Sequence, residues 1–161
     1  MSLKRSNWPE GQVVTLEHVS GALRDHPLGD PYVRKLHVWL PPHYHAASPR
    51  RRFPVLFDLA GFLGSGPAHL AWRGFEENVP ERLARLVHQK RMPPAIHIFV
   101  SPGLVGAQRL RSVQYDSVDD VYPRFLLEEI LPAVAAKHKL RTDGYSRAIV
   151  GNSSGGICAF N

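Results

Sequence analysis

Two short segments of almost continuous apolar residues constrain the fold of this chain more than any other feature of its sequence. Val55–Leu59 and Ile96–Val100 are both bounded by prolines or glycines, and residues 147–150 form a shorter segment of the same kind. Strands that are apolar on both sides are typical of parallel sheets with helices on both faces. We therefore expect three buried strands side by side inside a sheet.

Helical patterns lie between these strands. In the first interval, Asn78 is a suitable N-cap, Pro80 follows in the first turn, and Glu81 stands three residues after the cap. This arrangement is typical of a capping box at a helix start. Apolar residues at helical spacing continue to the basic pair Lys90-Arg91, which marks the end of the predicted helix.

A second helix is predicted in the next interval, beginning near Asp119 or Asp120 with Pro123 in its first turn. Its core-facing residues, by helical spacing, are Leu127, Ile130, Leu131, Val134 and Ala135. Pro132 removes a backbone hydrogen bond inside this helix and predicts a bend. Strands that alternate with helices predict an α/β fold with right-handed crossovers.

Two β-rich segments, residues 12–19 and 32–40, precede these elements. In the second, residues 32, 34, 36, 38 and 40 fall on one side and residues 33, 35, 37 and 39 on the other, and the segment is read as a β-strand. The glycines and prolines of residues 20–31 predict a long loop between the two segments. The expected sheet is mostly parallel, with two antiparallel lead strands.

Charge and cysteine content exclude several classes of function. The chain has 20 Lys and Arg against 14 Asp and Glu, a net charge of +6, but only residues 50–52 form a tight basic run. Scattered positive charge of this kind does not predict nucleic-acid binding. The single cysteine, Cys158, leaves neither an internal disulfide nor a cysteine-based zinc site, so a reducing, cytoplasmic setting is expected.

No apolar run approaches the roughly 20 residues of a membrane span, and no secretory leader is visible, so we expect no membrane association.

The third buried strand runs directly into Gly151-Asn152-Ser153-Ser154-Gly155, which fits the pattern G-x-S-x-G. In α/β enzymes this pattern, the nucleophile elbow, forms a sharp turn from which the central serine hydroxyl projects. The flanking glycines, Gly151 and Gly155, let strand and helix approach closely, and the N–H of Ser154 would face the oxygen that becomes negative during acyl transfer. A turn without chemistry and a phosphate-binding turn are the alternatives, although no lysine follows the glycines as in a P-loop.

Further oxyanion donors are expected in the loop after the first buried strand, residues 58–66. There the backbone N–H groups of Gly61 and Phe62 are the natural donors. The other interpretation is that a glycine-rich strand exit only turns the chain.

From residue 32 onward, the chain resembles esterases of the enterochelin-esterase, esterase D, feruloyl esterase and acetylxylan esterase type. The most specific part is residues 147–156, because the Arg-Ala lead-in and the paired Gly155-Gly156 are both typical of that family. The other matching segments are Val38-Trp39-Leu40-Pro41, Phe53-Pro54-Val55-Leu56, Ala60-Gly61, Ser101-Pro102-Gly103 and residues 125–132.

The resemblance implies an α/β-hydrolase fold and a serine carboxylic-ester hydrolase that acts on a small-molecule ester through an acyl-enzyme. By carry-over, Ser153 is the nucleophile, and the N–H groups of Ser154 and of Gly61 or Phe62 form the oxyanion hole. No metal or organic cofactor is implied. Ala60 departs from the family pattern, since relatives often carry histidine before the glycine. The ester itself stays open among siderophore lactones, sugar esters, glutathione thioesters and small synthetic esters.

The acid and the histidine of a serine triad have no candidates in the expected chain order. In α/β-hydrolases both follow the serine, but the eight residues after Ser153 contain neither. The nine histidines all lie upstream and are interpreted as structural or exposed; His43 and His45 could ligate a metal, but no third ligand is evident. Residues 1–161 are thus expected to be the N-terminal part of one α/β-hydrolase catalytic domain, cut after its fifth strand and inactive alone.

Two expectations follow from that interpretation. A fifth strand left at the sheet edge would be apolar and would invite self-association through residues 147–151. The alternative function is a non-catalytic α/β binding module, or the remnant of an enzyme.

Overall fold

A five-stranded sheet in the order β1-β2-β4-β3-β5 forms the centre of the protein. The structure is a computed structural model and describes residues 7–25, 31–61, 64–101, 114–115 and 118–160. The strands are β1 (Gln12–Val19), β2 (Val33–Leu40), β3 (Val55–Leu59), β4 (Ile96–Val100) and β5 (Arg147–Gly151).

The pairing of the strands agrees with the expected α/β architecture. β1 pairs with β2, and β2 with β4, in antiparallel orientation, whereas β3 is parallel to both β4 and β5. Phe57 on β3 lies opposite Ile98 on β4 and Ile149 on β5, so the three apolar segments are neighbours. The predicted parallel strands with two antiparallel lead strands are confirmed.

The helices flank this sheet, and one of them was not predicted. They are α1 (Gly66–Leu70), α2 (Val79–His88), α3 (Val121–Arg124), a π-helical segment (Phe125–Ile130), α4 (Leu131–Ala135), a 3₁₀ turn (Gly144–Ser146) and α5 (Ser154–Phe160). α2 begins with the predicted capping box, in which Asn78 and Glu81 each accept a hydrogen bond from the other's backbone N–H. The missed helix α1 is capped by Ser65, whose side chain accepts from the N–H of Ala68.

The second predicted helix is present, but its buried face differs from the predicted one. Ile130, Leu131 and Val134 are buried as expected, whereas Leu127 is 52% exposed and Ala135 is also exposed. A π-helical segment lies just before Pro132, the residue that cannot donate to the helical ladder. Its i→i+5 hydrogen bonds shift the faces away from 3.6-residue spacing, so Phe125 and Leu126 are buried instead.

The sheet carries a hydrophobic core on each face. On one face, alternate residues of β2, β3 and β4 pack with the buried residues of segment 121–135 and with Cys158 and Ala159 of α5. On the other face, Trp39 and Phe99 pack with Leu83 and Ala84 of α2. Cys158 is therefore a packing residue, as expected from its position behind the turn. No helix within the described ranges is both long and apolar enough to cross a membrane.

β5 differs from the other apolar strands because it lies at an end of the sheet. The five residues of β4 are all buried, but Ile149 and Val150 of β5 are 40% and 45% exposed. Within the described residues β5 pairs with β3 alone. The expectation that β5 is buried on both faces is therefore wrong, while its position at an apolar edge is as expected.

We predict that residues 147–151 mediate self-association of the 161-residue chain, because an exposed apolar edge strand is a template for pairing with another chain. Val150→Lys, which places a charge on this edge, should weaken the association at least about tenfold in sedimentation velocity. Val13→Lys on the opposite edge strand, where Val13 is 38% exposed, is the matched control and should change little. A wild-type chain that sediments as a monomer at all concentrations would contradict this prediction.

Candidate active site

A sharp turn between β5 and α5 presents the side chain of Ser153. β5 ends at Gly151 and α5 begins at Ser154, so only Asn152 and Ser153 connect the strand to the helix. Ser153 is exposed and has φ of 52°, a left-handed conformation that is uncommon for residues other than glycine. Its carbonyl oxygen accepts hydrogen bonds from Gly156 (2.9 Å) and Ile157 (3.1 Å), which tie the turn to the first turn of α5. The serine hydroxyl therefore lies outside both regular elements, at their junction.

The glycines on either side of the turn are required by close backbone contacts. A Cβ atom on Gly151 would overlap the carbonyl oxygen of Gly155. A Cβ atom on Gly155 would lie 2.5 Å from the carbonyl oxygen of Leu59 and 2.8 Å from that of Ala60. Gly155 thus packs directly on the end of β3, and any side chain there would push α5 away from the sheet.

The loop after β3 reaches the same turn. A Cβ atom on Gly61 would lie 2.6 Å from Oδ1 of Asn152, so the backbone of Gly61 is in contact with the residue that precedes Ser153. Ser154, the other proposed backbone donor, is buried at the start of α5. The structure thus brings Gly61, Ser153 and Ser154 together at one end of the sheet. Phe62, the alternative donor, lies outside the described residues.

A histidine–carboxylate pair lies across β3 and β4, and sequence reasoning did not identify it as a pair. Nδ1 of His97 is 2.8 Å from Oδ2 of Asp58, and the side chains of His97 and Asp58 are 4% and 17% exposed. The ring of His97 packs edge-on against Trp39. Asp58 also lies opposite Val150 in the pairing of β3 with β5. The Asp58–His97 pair is therefore one residue before the end of β5 at Gly151. It is buried within the sheet face that α2 covers, as the structural interpretation of His97 predicts.

None of the histidines in the described part of the chain hydrogen-bonds the hydroxyl of Ser153. His69 on α1 lines the same cavity as Asn152, and its ring stacks on Phe99 at 5.4 Å. Burial lowers the pKa of His69 below its ordinary value. The negative charge of Asp58 partly offsets this shift and the positive charge of Arg73 adds to it, so the neutral form of the ring predominates at pH 7. Asp119 accepts a hydrogen bond from the N–H of Val121, the first residue of α3, whereas the N-cap residue Asp120 makes no side-chain cap hydrogen bond.

A cavity of about 260 Å³ opens beside the serine turn. Gly61, Gly64 and Asn152 form part of its wall, and residues of α1, of the α1–α2 connection and of α2 form the rest. It is large enough for part of a small organic molecule. The turn, the neighbouring backbone of Gly61 and this cavity together define the candidate active site.

Comparison with known proteins gives a family model and a set of similar folds. A family model described as Esterase matches residues 32–161. These residues begin at the second lead strand and include every element of the candidate site.

Solved structures of esterases share the fold of this chain. A ferulic acid esterase is 24% identical with a TM-score of 0.70, covering 93% of this chain and 53% of its own. A ferulic acid esterase from Anaeromyces mucronatus is 17% identical, with a TM-score of 0.66 and coverage of 94% and 53%. The enterobactin esterase from Shigella flexneri is 16% identical, with a TM-score of 0.69 and coverage of 94% and 33%. The chain spans about half the length of the two ferulic acid esterases. These likenesses confirm the α/β-hydrolase fold.

Proposed function

This chain belongs to the Esterase family, and from that membership we propose that it carries the nucleophilic serine of a carboxylic-ester hydrolase. The observation that supports this proposal most directly is the conformation of Ser153. An exposed serine with φ of 52°, held between a strand and a helix by two closely packed glycines, has the geometry expected of a nucleophile elbow.

In the proposed reaction, Oγ of Ser153 attacks the carbonyl carbon of an ester and gives up its proton to a general base. The tetrahedral intermediate expels the alcohol, which takes up that proton, and leaves an acyl group on Ser153. Water then attacks the acyl-enzyme, releases the carboxylic acid and restores the serine hydroxyl. Acylation and deacylation each form one bond to the carbonyl carbon and break another. The reaction therefore needs no oxidant, reductant or cofactor.

Backbone N–H groups would stabilise the negative oxygen that develops in both tetrahedral intermediates. The N–H of Ser154 is one proposed donor, because α5 begins at that residue and the backbone N–H after the nucleophile is the usual donor in a nucleophile elbow. The N–H of Gly61 or of Phe62 is the second. The contact between Gly61 and Asn152 supports this proposal because it places the loop after β3 against the serine turn.

The general base is missing from the contacts of Ser153, since no described residue hydrogen-bonds its hydroxyl. Without a hydrogen-bonded base, a serine hydroxyl is a weak nucleophile at neutral pH. We therefore propose that residues 1–161 alone hydrolyse esters slowly or not at all. The substrate is a small-molecule ester, and the setting is cytoplasmic.

A fluorophosphonate probe tests the assignment of the nucleophile, since it phosphonylates activated serines. The protein should be expressed with any sequence that its gene carries beyond residue 161, labelled, digested and examined by mass spectrometry. The phosphonyl group is expected on Ser153, and heat-unfolded protein should remain unlabelled. Labelling of another serine would reassign the nucleophile. A folded protein that is never labelled would instead match the non-catalytic alternative.

A further inference from the structure

The cavity beside the serine turn is lined by charged side chains that are paired with one exception. Glu77 accepts from Nε of Arg85 at 2.8 Å, and Arg73 donates to Glu76 at 3.0 Å. The carboxylate of Glu77 is thus neutralised by an arginine. The pair of Arg73 and Glu76 is more than half exposed, so it contributes little in water and can be exchanged for a ligand at small cost.

Arg82 is the exception. It projects from α2, its backbone N–H donates to the carbonyl of Asn78 at 3.0 Å, and its side chain lines the cavity and is exposed. Within the described ranges, no hydrogen bond or ion pair joins its guanidinium group to another residue. A guanidinium group presents several N–H donors in a fixed plane that suits carboxylate and phosphate oxygens.

The remaining polar groups of the cavity suit an anion as well. His69 is neutral at pH 7 because burial lowers its pKa, so its ring can donate one hydrogen bond without contributing charge. Asn78, Asn152 and Gly61 also line the wall, and of these Asn78 already uses its side-chain amide, donating to Leu70 and accepting from the N–H of Glu81. With Glu77 paired to Arg85, the free charge of the cavity is positive, and the net charge of +6 favours the approach of anionic molecules.

We propose that this cavity binds a negatively charged group of the ester substrate, and that Arg82 is its main partner. The inference rests on the proposed function, because it assigns a substrate class to the site of Ser153. The class is a small ester that carries a carboxylate or a similar anion close to the ester carbonyl. Arg82 is a specificity residue in this proposal and does not contact the reacting atoms.

The first measurement compares esters that differ in charge. The gene-encoded protein is assayed with 4-nitrophenyl butyrate, with its anionic counterpart 4-nitrophenyl hemisuccinate, and with 4-carboxyphenyl butyrate, in which the anion is on the alcohol side. Arg82→Gln should lower kcat/KM about tenfold for at least one anionic ester and less than about twofold for the neutral ester. Arg82→Lys should restore part of the loss, and added salt should reduce the difference.

A matched control separates local recognition from net charge. Arg50 lies in the exposed loop before β3, and Arg50→Gln changes the net charge by the same amount as Arg82→Gln. It should leave the preference for anionic esters unchanged. An equal loss in Arg50→Gln, or an equal loss for neutral and anionic esters in Arg82→Gln, would overturn the proposal.

The second measurement is independent of turnover. Titration with N-(4-nitrophenyl)succinamic acid, an anionic amide that resists hydrolysis, should shift the side-chain NMR signal of Arg82, and the neutral butanamide should bind at least about tenfold more weakly. Failure of the anionic amide to bind would overturn this inference even if esters are hydrolysed. Binding that is lost in Arg82→Gln, in a protein that hydrolyses none of the esters, would support the anion site and contradict the proposed function.

Discussion

Ser153→Ala should lower the rate of ester hydrolysis by the gene-encoded protein by about 10⁴-fold or more and should abolish labelling by a fluorophosphonate. Removal of a serine nucleophile leaves only the catalysis that the oxyanion hole and substrate binding provide, which explains losses of this size. The fold should be unaffected, because the side chain of Ser153 is exposed and alanine can occupy the same turn. The measurements are kcat/KM with 4-nitrophenyl butyrate and the thermal unfolding midpoint.

Ser48→Ala is the matched control for this experiment. Ser48 lies in the exposed loop before β3, and its hydroxyl accepts only a long hydrogen bond, 3.3 Å, from the N–H of Arg50. Its removal should change neither hydrolysis nor labelling. If Ser153→Ala retained a tenth of the activity, the attack of Ser153 on the ester would have to be abandoned.

Gly155→Ala should destabilise the protein by about 2–3 kcal/mol and lower the reactivity of Ser153 by about 100-fold. The added methyl group would lie 2.5 Å and 2.8 Å from two carbonyl oxygens, those of Leu59 and Ala60. Both are backbone atoms at the end of β3 that cannot rotate away, so α5 must shift relative to the sheet. Since Ser153 immediately precedes α5, a shift of about 1 Å displaces its hydroxyl from the oxyanion donors.

Gly144→Ala provides the control, because a Cβ atom added there would have no atom within 4 Å apart from those of its own residue and its two chain neighbours. Its effect on the free energy of unfolding should stay within about 0.5 kcal/mol. Urea denaturation gives the stabilities, and the second-order rate of phosphonylation gives the reactivity of Ser153. If both glycine variants were equally stable and equally reactive, the packing of Gly155 on β3 would have no part in positioning the serine.

Local sequence signals were sufficient for most of the fold. β3 and β4 could be predicted to the residue, because prolines and glycines bound each apolar segment, and the capping box located the start of α2. α1 was missed although Ser65 and Pro67 form a start signal, since the helix is only one turn long and has no apolar periodicity. Helical spacing places Leu127 on the buried face, and this is wrong because 3.6-residue spacing does not hold through a π-helical segment.

Local sequence signals were likewise sufficient for one part of the candidate site and not for the others. The turn around Ser153 is local, so its pattern could be recognised from consecutive residues. The pair of Asp58 and His97 could not, because their contact depends on which strands are neighbours and on the register between β3 and β4. The cavity beside Arg82 also depends on tertiary structure, since it is formed where α1, α2 and the serine turn meet.

The contact of Gly155 with the end of β3 has a consequence for protein engineering. The hexapeptide from Gly151 to Gly156 is not sufficient to form this turn. The turn also requires the small residues Ala60 and Gly61, because larger side chains there would collide with it. Grafted onto a strand–helix junction in another scaffold, the hexapeptide would adopt a different turn unless the adjacent strand also ended in residues as small as these. A successful transplant therefore has to carry both segments.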